Sequence, residues 1–108
     1  MFGRFGRKRP GEYRTSEEIQ ALIDGDVPHC LVDVRTHDEY DQGHIPTATW
    51  IPYLDIGKTP PTEDKSALII VYCYSGARSE TARRTLMKMG YEHVYNFGGI
   101  IHWAGELV

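Results

Sequence analysis

Nothing in this chain is long and apolar enough to cross a bilayer. The longest unbroken apolar run, Ala67 to Tyr74, falls far short of the roughly 20 residues a spanning helix needs. No apolar segment follows the basic start, Met1 to Pro10, so a secretory signal peptide is not expected and the cytoplasm is the expected compartment. Cysteine is scarce, and Cys30 and Cys73 alone make no disulfide framework. The histidines (His29, His37, His44, His93 and His102) have no metal-ligand spacing with one another or with cysteine. No metal and no other cofactor is therefore expected. Internal repeats and low-complexity segments are missing as well.

An excess of positive charge is also missing. The net charge is −3, and the first ten residues hold Arg4, Arg7, Lys8 and Arg9 with no acid, so the remainder carries −7. An acidic body with a short basic tail is not the footprint of a nucleic-acid-binding domain. Residues 1–10 read as a flexible basic tail, and residues 11–108 as one domain with enough chain for a real core.

What is present is organised around Leu68-Ile69-Ile70-Val71-Tyr72-Cys73-Tyr74-Ser75-Gly76-Ala77-Arg78-Ser79. A continuously apolar, β-branched run predicts a strand buried on both faces of a parallel sheet. It ends on Cys73, at the carboxyl end of the strand, where such sheets hold their ligands. A short loop with Gly76 then leads into helical periodicity from Ser79 to Met89. The free N–H groups and positive dipole end of that helix favour an anion, and a thiol placed there ionises more easily. A buried cysteine finishing a strand is usually only a small hydrophobe. The conjunction of strand end, glycine, Arg78 and helix start favours a nucleophile at the base of an anion cradle.

Around this stretch the chain alternates short strands and helices. Glu12-Tyr13-Arg14 is a weak strand. Thr15 and Glu18 have capping-box spacing ahead of an apolar stripe at Ile19, Leu22 and Ile23, with a stop near Gly25. Cys30 to Val34 is a second, central strand in which Cys30 packs. Thr36 and Glu39 make a second capping box, Gly43 to Ala48 a turn, and Thr49 to Ile51 a short strand closed by Pro52. Tyr53, Leu54 and Ile56 fit one helical turn. Val94 to Phe97 is the last strand, Gly98-Gly99 a turn, and Ile100 to Leu107 a closing helix. The pattern predicts an α/β sandwich on a mostly parallel sheet.

Taken in order, Asp33-Val34-Arg35, Glu39-Tyr40, Gly43-His44-Ile45-Pro46, Cys73 to Ser79, Gly98-Gly99 and Trp103 resemble the single-domain rhodanese (sulfurtransferase) family. The resemblance implies a three-layer sandwich with about five mostly parallel strands and helices on both faces. It also implies a two-step transfer. Cys73 takes sulfane sulfur from thiosulfate, a polysulfide or a persulfide, then passes it to a thiol, cyanide or a protein acceptor. In that reading the backbone N–H groups of Tyr74, Ser75, Gly76, Ala77, Arg78 and Ser79 surround the terminal sulfur. One such preorganised donor is typically worth about 3 kcal/mol at an oxyanion site. Arg78 either binds a sulfonate or braces the loop. Asp33 and Arg35 read as an ion pair supporting the strand end.

Phosphatases that share this fold set five residues between cysteine and arginine, whereas four separate Cys73 from Arg78. The smaller ring suits a sulfur atom better than a phosphate. A cysteine-dependent phosphatase or arsenate reductase, and a binding or redox-sensing module, stay as alternatives. Trp50, Phe97 and Trp103 read as core or pocket wall. Arg83, Arg84 and Lys88 form a basic helix face that is either merely solvated or a dock for an anionic partner.

Overall fold

A computed structural model describes residues 12–108; the basic tail expected over residues 1–10 lies outside them. Helix α1 (Ser16–Asp24) and strand β1 (Cys30–Asp33) come first, then helix α2 (His37–Gln42) and strand β2 (Thr49–Trp50). Strand β3 (Leu68–Cys73), helix α3 (Ala77–Lys88), strand β4 (His93–Gly99) and a single 3-10 turn at Ile100–His102 complete the order. The four strands form one sheet in the order β2-β1-β3-β4, all parallel. Its carboxyl ends therefore share one edge.

The run from Leu68 explains the layers. Side chains alternate across a strand, so Ile69, Val71 and Cys73 enter one cluster while Ile70 and Tyr72 enter the other. The first cluster is closed by Ala82 and Leu86 of α3, the second by Ile19 and Leu22 of α1. Helices thus cover both faces, as expected. Burying each large aliphatic side chain is worth about 1.5–3 kcal/mol, which is why β3, buried on both sides, holds the centre.

Both capping boxes form. Thr15 with Glu18 opens α1, and Thr36 with Glu39 opens α2. Such a cap typically contributes about 1 kcal/mol. At the other end of α3 the N–H groups of Gly90 and Tyr91 return to the carbonyls of Met87 and Leu86, a Schellman stop.

Three expectations change. Glu12 to Arg14 is not a strand: Tyr13 sits at φ 57°, and the N–H groups of Arg14 and Thr15 are spent on the Glu18 carboxylate at 3.0 and 3.1 Å. The sheet, with four strands among the described residues, keeps to the expected mostly parallel arrangement of about five. Gly98-Gly99 is not a turn but the end of β4. Pairing slips by one residue, so that Val71 faces Asn96 but Tyr72 faces Gly98, and Gly98 at φ 105° absorbs the bulge. The closing helix stops after one turn. Trp103 is extended, its indole N–H donates to the Glu106 carbonyl at 2.8 Å, and Val108 exchanges backbone hydrogen bonds with His44. Those bonds hold the end of the chain out of a helix.

Candidate active site

Cys73 ends β3 with 1% of its surface exposed, and the chain turns over it into α3. The turn depends on Gly76. This residue is the N-cap of α3 at φ 112°, a left-handed conformation that side chains disfavour, and a Cβ there would meet Gly98 Cα at 3.3 Å. Helix α3 starts at Ala77, two residues earlier than its periodicity indicates. Ser79 is therefore inside the first turn, buried, rather than at its start.

Two donors reach the sulfur. The Gly76 N–H donates to Cys73 Sγ at 3.0 Å, and the Ser79 hydroxyl lies 3.3 Å from it. Burial alone pushes the thiol up. The Ser79 hydroxyl and the backbone N–H groups of Ser79, Gly76 and Ser75 outweigh that, and the thiol titrates below its ordinary value. A hydroxyl has one proton. The Ser79 Oγ also lies 3.1 Å from the Gly76 carbonyl and 3.5 Å from that of Gly98. It thus has a resting acceptor when the sulfur is protonated, and a better one when the sulfur is charged.

Arg78 reaches from the loop to α2 while staying close to Cys73. Its two terminal nitrogens bond Glu39 Oε1 and Oε2 at 2.9 and 3.2 Å. The Arg78 hydrogen bonds hold the Glu39 carboxyl down to about 2, and Glu39 in turn raises Arg78. Glu39 also closes the α2 capping box, so one carboxylate ties the helix start to the cysteine loop. Asp33 and Arg35 form a second, buried pair, with Arg35 Nη2 at 2.6 Å from Asp33 Oδ2 and 2.7 Å from the Gly43 carbonyl. It fastens the end of β1 to the turn after α2.

The far wall of the loop is β4. A Cβ on Gly99 would overlap the Tyr74 carbonyl oxygen and come within 2.8 Å of Ser75 Cα, so only glycine lets the strand pass this close. Asn96 Nδ2 donates to the Gly76 carbonyl at 3.1 Å, and its Oδ1 accepts the Gly98 N–H at 2.8 Å. Tyr74, Ser75 and Ala77 stand outward on the loop.

The residues from Cys73 to Ser79 are thus brought together, with Asp33 and Arg35 beside them rather than among them. Sequence reasoning missed Glu39 as a loop partner, and missed Asn96. A polar residue inside the apolar run Val94 to Phe97 was the available signal for Asn96; nothing local marks the second role of Glu39.

Phe97 and Trp103 are core, but Trp50 is not: it is 36% exposed, with its indole N–H on the Arg35 carbonyl at 2.8 Å. Arg83 and Arg84 both bond Glu80, whose single negative charge offsets only one of them, so the face that also carries Lys88 keeps a positive balance. Among the described residues no group of His, Cys, Asp and Glu is placed to hold a metal, and no helix is long and apolar enough to cross a membrane.

A family model, the rhodanese-like domain, matches residues 15–106. The tRNA uridine(34) hydroxylase of Erwinia tasmaniensis is 37% identical over 87% of this chain and 29% of its own length. A putative sulfur carrier protein, YrkF of Bacillus subtilis, is 34% identical over 83% of this chain and 49% of its own. The chain therefore spans from under a third to about half of these curated relatives. A rhodanese-like domain protein from Staphylococcus aureus superposes with a TM-score of 0.76 at 30% identity, covering 87% of this chain and 93% of that structure.

Proposed function

Because the chain belongs to the rhodanese-like domain family, we propose that it is a sulfurtransferase carrying sulfane sulfur as a persulfide on Cys73. One observation carries the reading: a buried thiol at the end of β3, pulled toward its thiolate by the Gly76 N–H and the Ser79 hydroxyl at 3.0 and 3.3 Å. The unit is residues 11–108.

In the first step the Cys73 thiolate attacks the outer sulfur of a donor. With thiosulfate, the Sγ–S bond forms, the donor S–S bond breaks, and sulfite leaves with the electron pair. The persulfide Cys73–S–S⁻ carries the sulfur between the two steps, which divides one displacement into two easier ones, and donors of the loop stabilise its charge. In the second step a thiophile such as cyanide takes the outer sulfur, and the pair returns to Sγ. The relative described as a sulfur carrier supports this chemistry. The hydroxylases share this domain over 29% of their length in the Erwinia protein, which supports a common domain rather than a common reaction.

Intact mass before and after thiosulfate, polysulfide or glutathione persulfide tests the reading. The wild type and Cys30→Ser gain one sulfur and Cys73→Ser gains none, with cyanide reversing the gain and releasing thiocyanate. No gain from any of the three donors overturns it.

A further inference from the structure

Beside the cysteine loop lies a cavity of about 140 Å³ whose walls are almost wholly carbon. Val34, Pro52, Tyr53 and Leu54 line it, together with Arg35 and Arg78. Arg78 of the cysteine loop forms part of its wall, and Val34 brings it next to the strand that ends on the nucleophile. Asp33 pairs with Tyr72 across the sheet, so Val34 is the next position, level with Cys73, and its N–H donates to the Tyr72 carbonyl at 3.0 Å. Val34 and Tyr53 pack in the same apolar cluster as Cys73.

The two cations on its wall are both paired, Arg35 with Asp33 and Arg78 with Glu39. Neither offers an uncompensated charge to a ligand. For scale, an enclosed engineered apolar cavity of about 150 Å³ takes up benzene, whereas this one opens to solvent beside Leu54. A cavity of this size holds a six-carbon ring or a short alkyl chain.

We propose that this cavity is a subsite for the organic arm of a thiol acceptor R–SH, where R is small, uncharged and apolar. The proposal rests on the persulfide reading above and adds the substrate class to it. The thiol gives its proton to solvent, and R–S⁻ attacks the outer sulfur of Cys73–S–S⁻. The new R–S–S⁻ bond forms, the Sγ–S bond breaks, and its electron pair returns to Sγ. With R seated between Leu54 and Tyr53, the attacking sulfur is delivered to the loop.

The test discharges the sulfur-loaded protein with ethanethiol, propanethiol, butanethiol and pentanethiol, whose thiols are nearly equally acidic and differ in the arm. The same thiols reacting with glutathione persulfide, which has no cavity, give the intrinsic reactivity. Relative to that reference, the discharge rate constant rises about three- to fourfold per added methylene. A charged acceptor, 3-mercaptopropionate, falls below propanethiol once both are compared as thiolates. Leu54 is 75% exposed, so Leu54→Asp keeps the fold, checked by thermal melting, and flattens the gradient. Equal discharge by all four alkanethiols overturns the subsite, as does a gradient that survives Leu54→Asp. Loading without arm preference removes only the subsite; failure to load with any donor removes the function and the subsite together.

Discussion

Cys30 and Cys73 sit on neighbouring strands of one sheet, at opposite ends, and the sheet treats them oppositely. Cys30 opens β1 at the amino edge, half-buried; burial and then the charge of Asp64 push its thiol up. Cys73 closes β3 at the carboxyl edge and is more deeply buried, yet its thiol is held down. The difference is donors. At the carboxyl edge the chain turns directly into a helix start, whose N–H groups have no partners of their own and converge on the sulfur. Burial then helps the site by excluding water from a charge the protein already solvates. The lesson is that a thiol's ionisation is set by the strand end it occupies, not by the cysteine itself.

The largest effect removes one member of the comparison. Cys73→Ser abolishes sulfur loading in a mass measurement, and Cys30→Ser leaves it intact.

Next, Gly99→Ala drives a methyl group into the Tyr74 carbonyl and shifts the loop. Overpacking of this kind costs about 1–3 kcal/mol in denaturant unfolding, and a displacement near 1 Å lowers the loading rate about a hundredfold.

Ser79→Ala makes Cys73 more like Cys30. Losing a hydrogen bond to a charged sulfur slows alkylation by iodoacetamide about tenfold at pH 7. The sign is fixed by the lowered thiol: the variant needs higher pH to form thiolate, so the two proteins converge as pH rises.

The smallest effect is at Glu39→Gln. Glu39 is held down to about 2 from 4.5, so its ion pair with Arg78 stabilises the fold fully above the unfolded value and loses that contribution as pH falls through about 2. The pair is partly exposed, so at neutral pH the loss is under about 1 kcal/mol. Melting temperatures of wild type and variant draw together on acidification; a constant gap across that range would show that the pair is not what stabilises this contact.

Much of this was legible in the chain. Thr15 with Glu18 and Thr36 with Glu39 announced two helix starts, because a capping box is a contact between residues three apart. The apolar run ending at Cys73 announced a central strand, because a strand buried on both faces has no polar alternation. Gly98-Gly99 was misread because two glycines in sequence look the same in a turn as in a bulged strand pressed against a neighbouring loop. The closing helix was overextended because Val108 finds His44 and Trp103 finds Glu106, and propensity carries no information about such partners.

By itself, the sequence determined what depends on neighbours along the chain: the caps, the strand periodicity, the length of the cysteine loop, and the resemblance those pieces carry in order. Tertiary structure alone decided the rest. It set Glu39 against Arg78 across 39 residues and closed β4 over the loop through Asn96 and Gly99. It also left Cys30 without the donors that Cys73 receives. The physical reason is range: caps and periodicities act over a few residues, whereas the environment of a thiol is set by whatever the fold brings within about 3–4 Å of its sulfur.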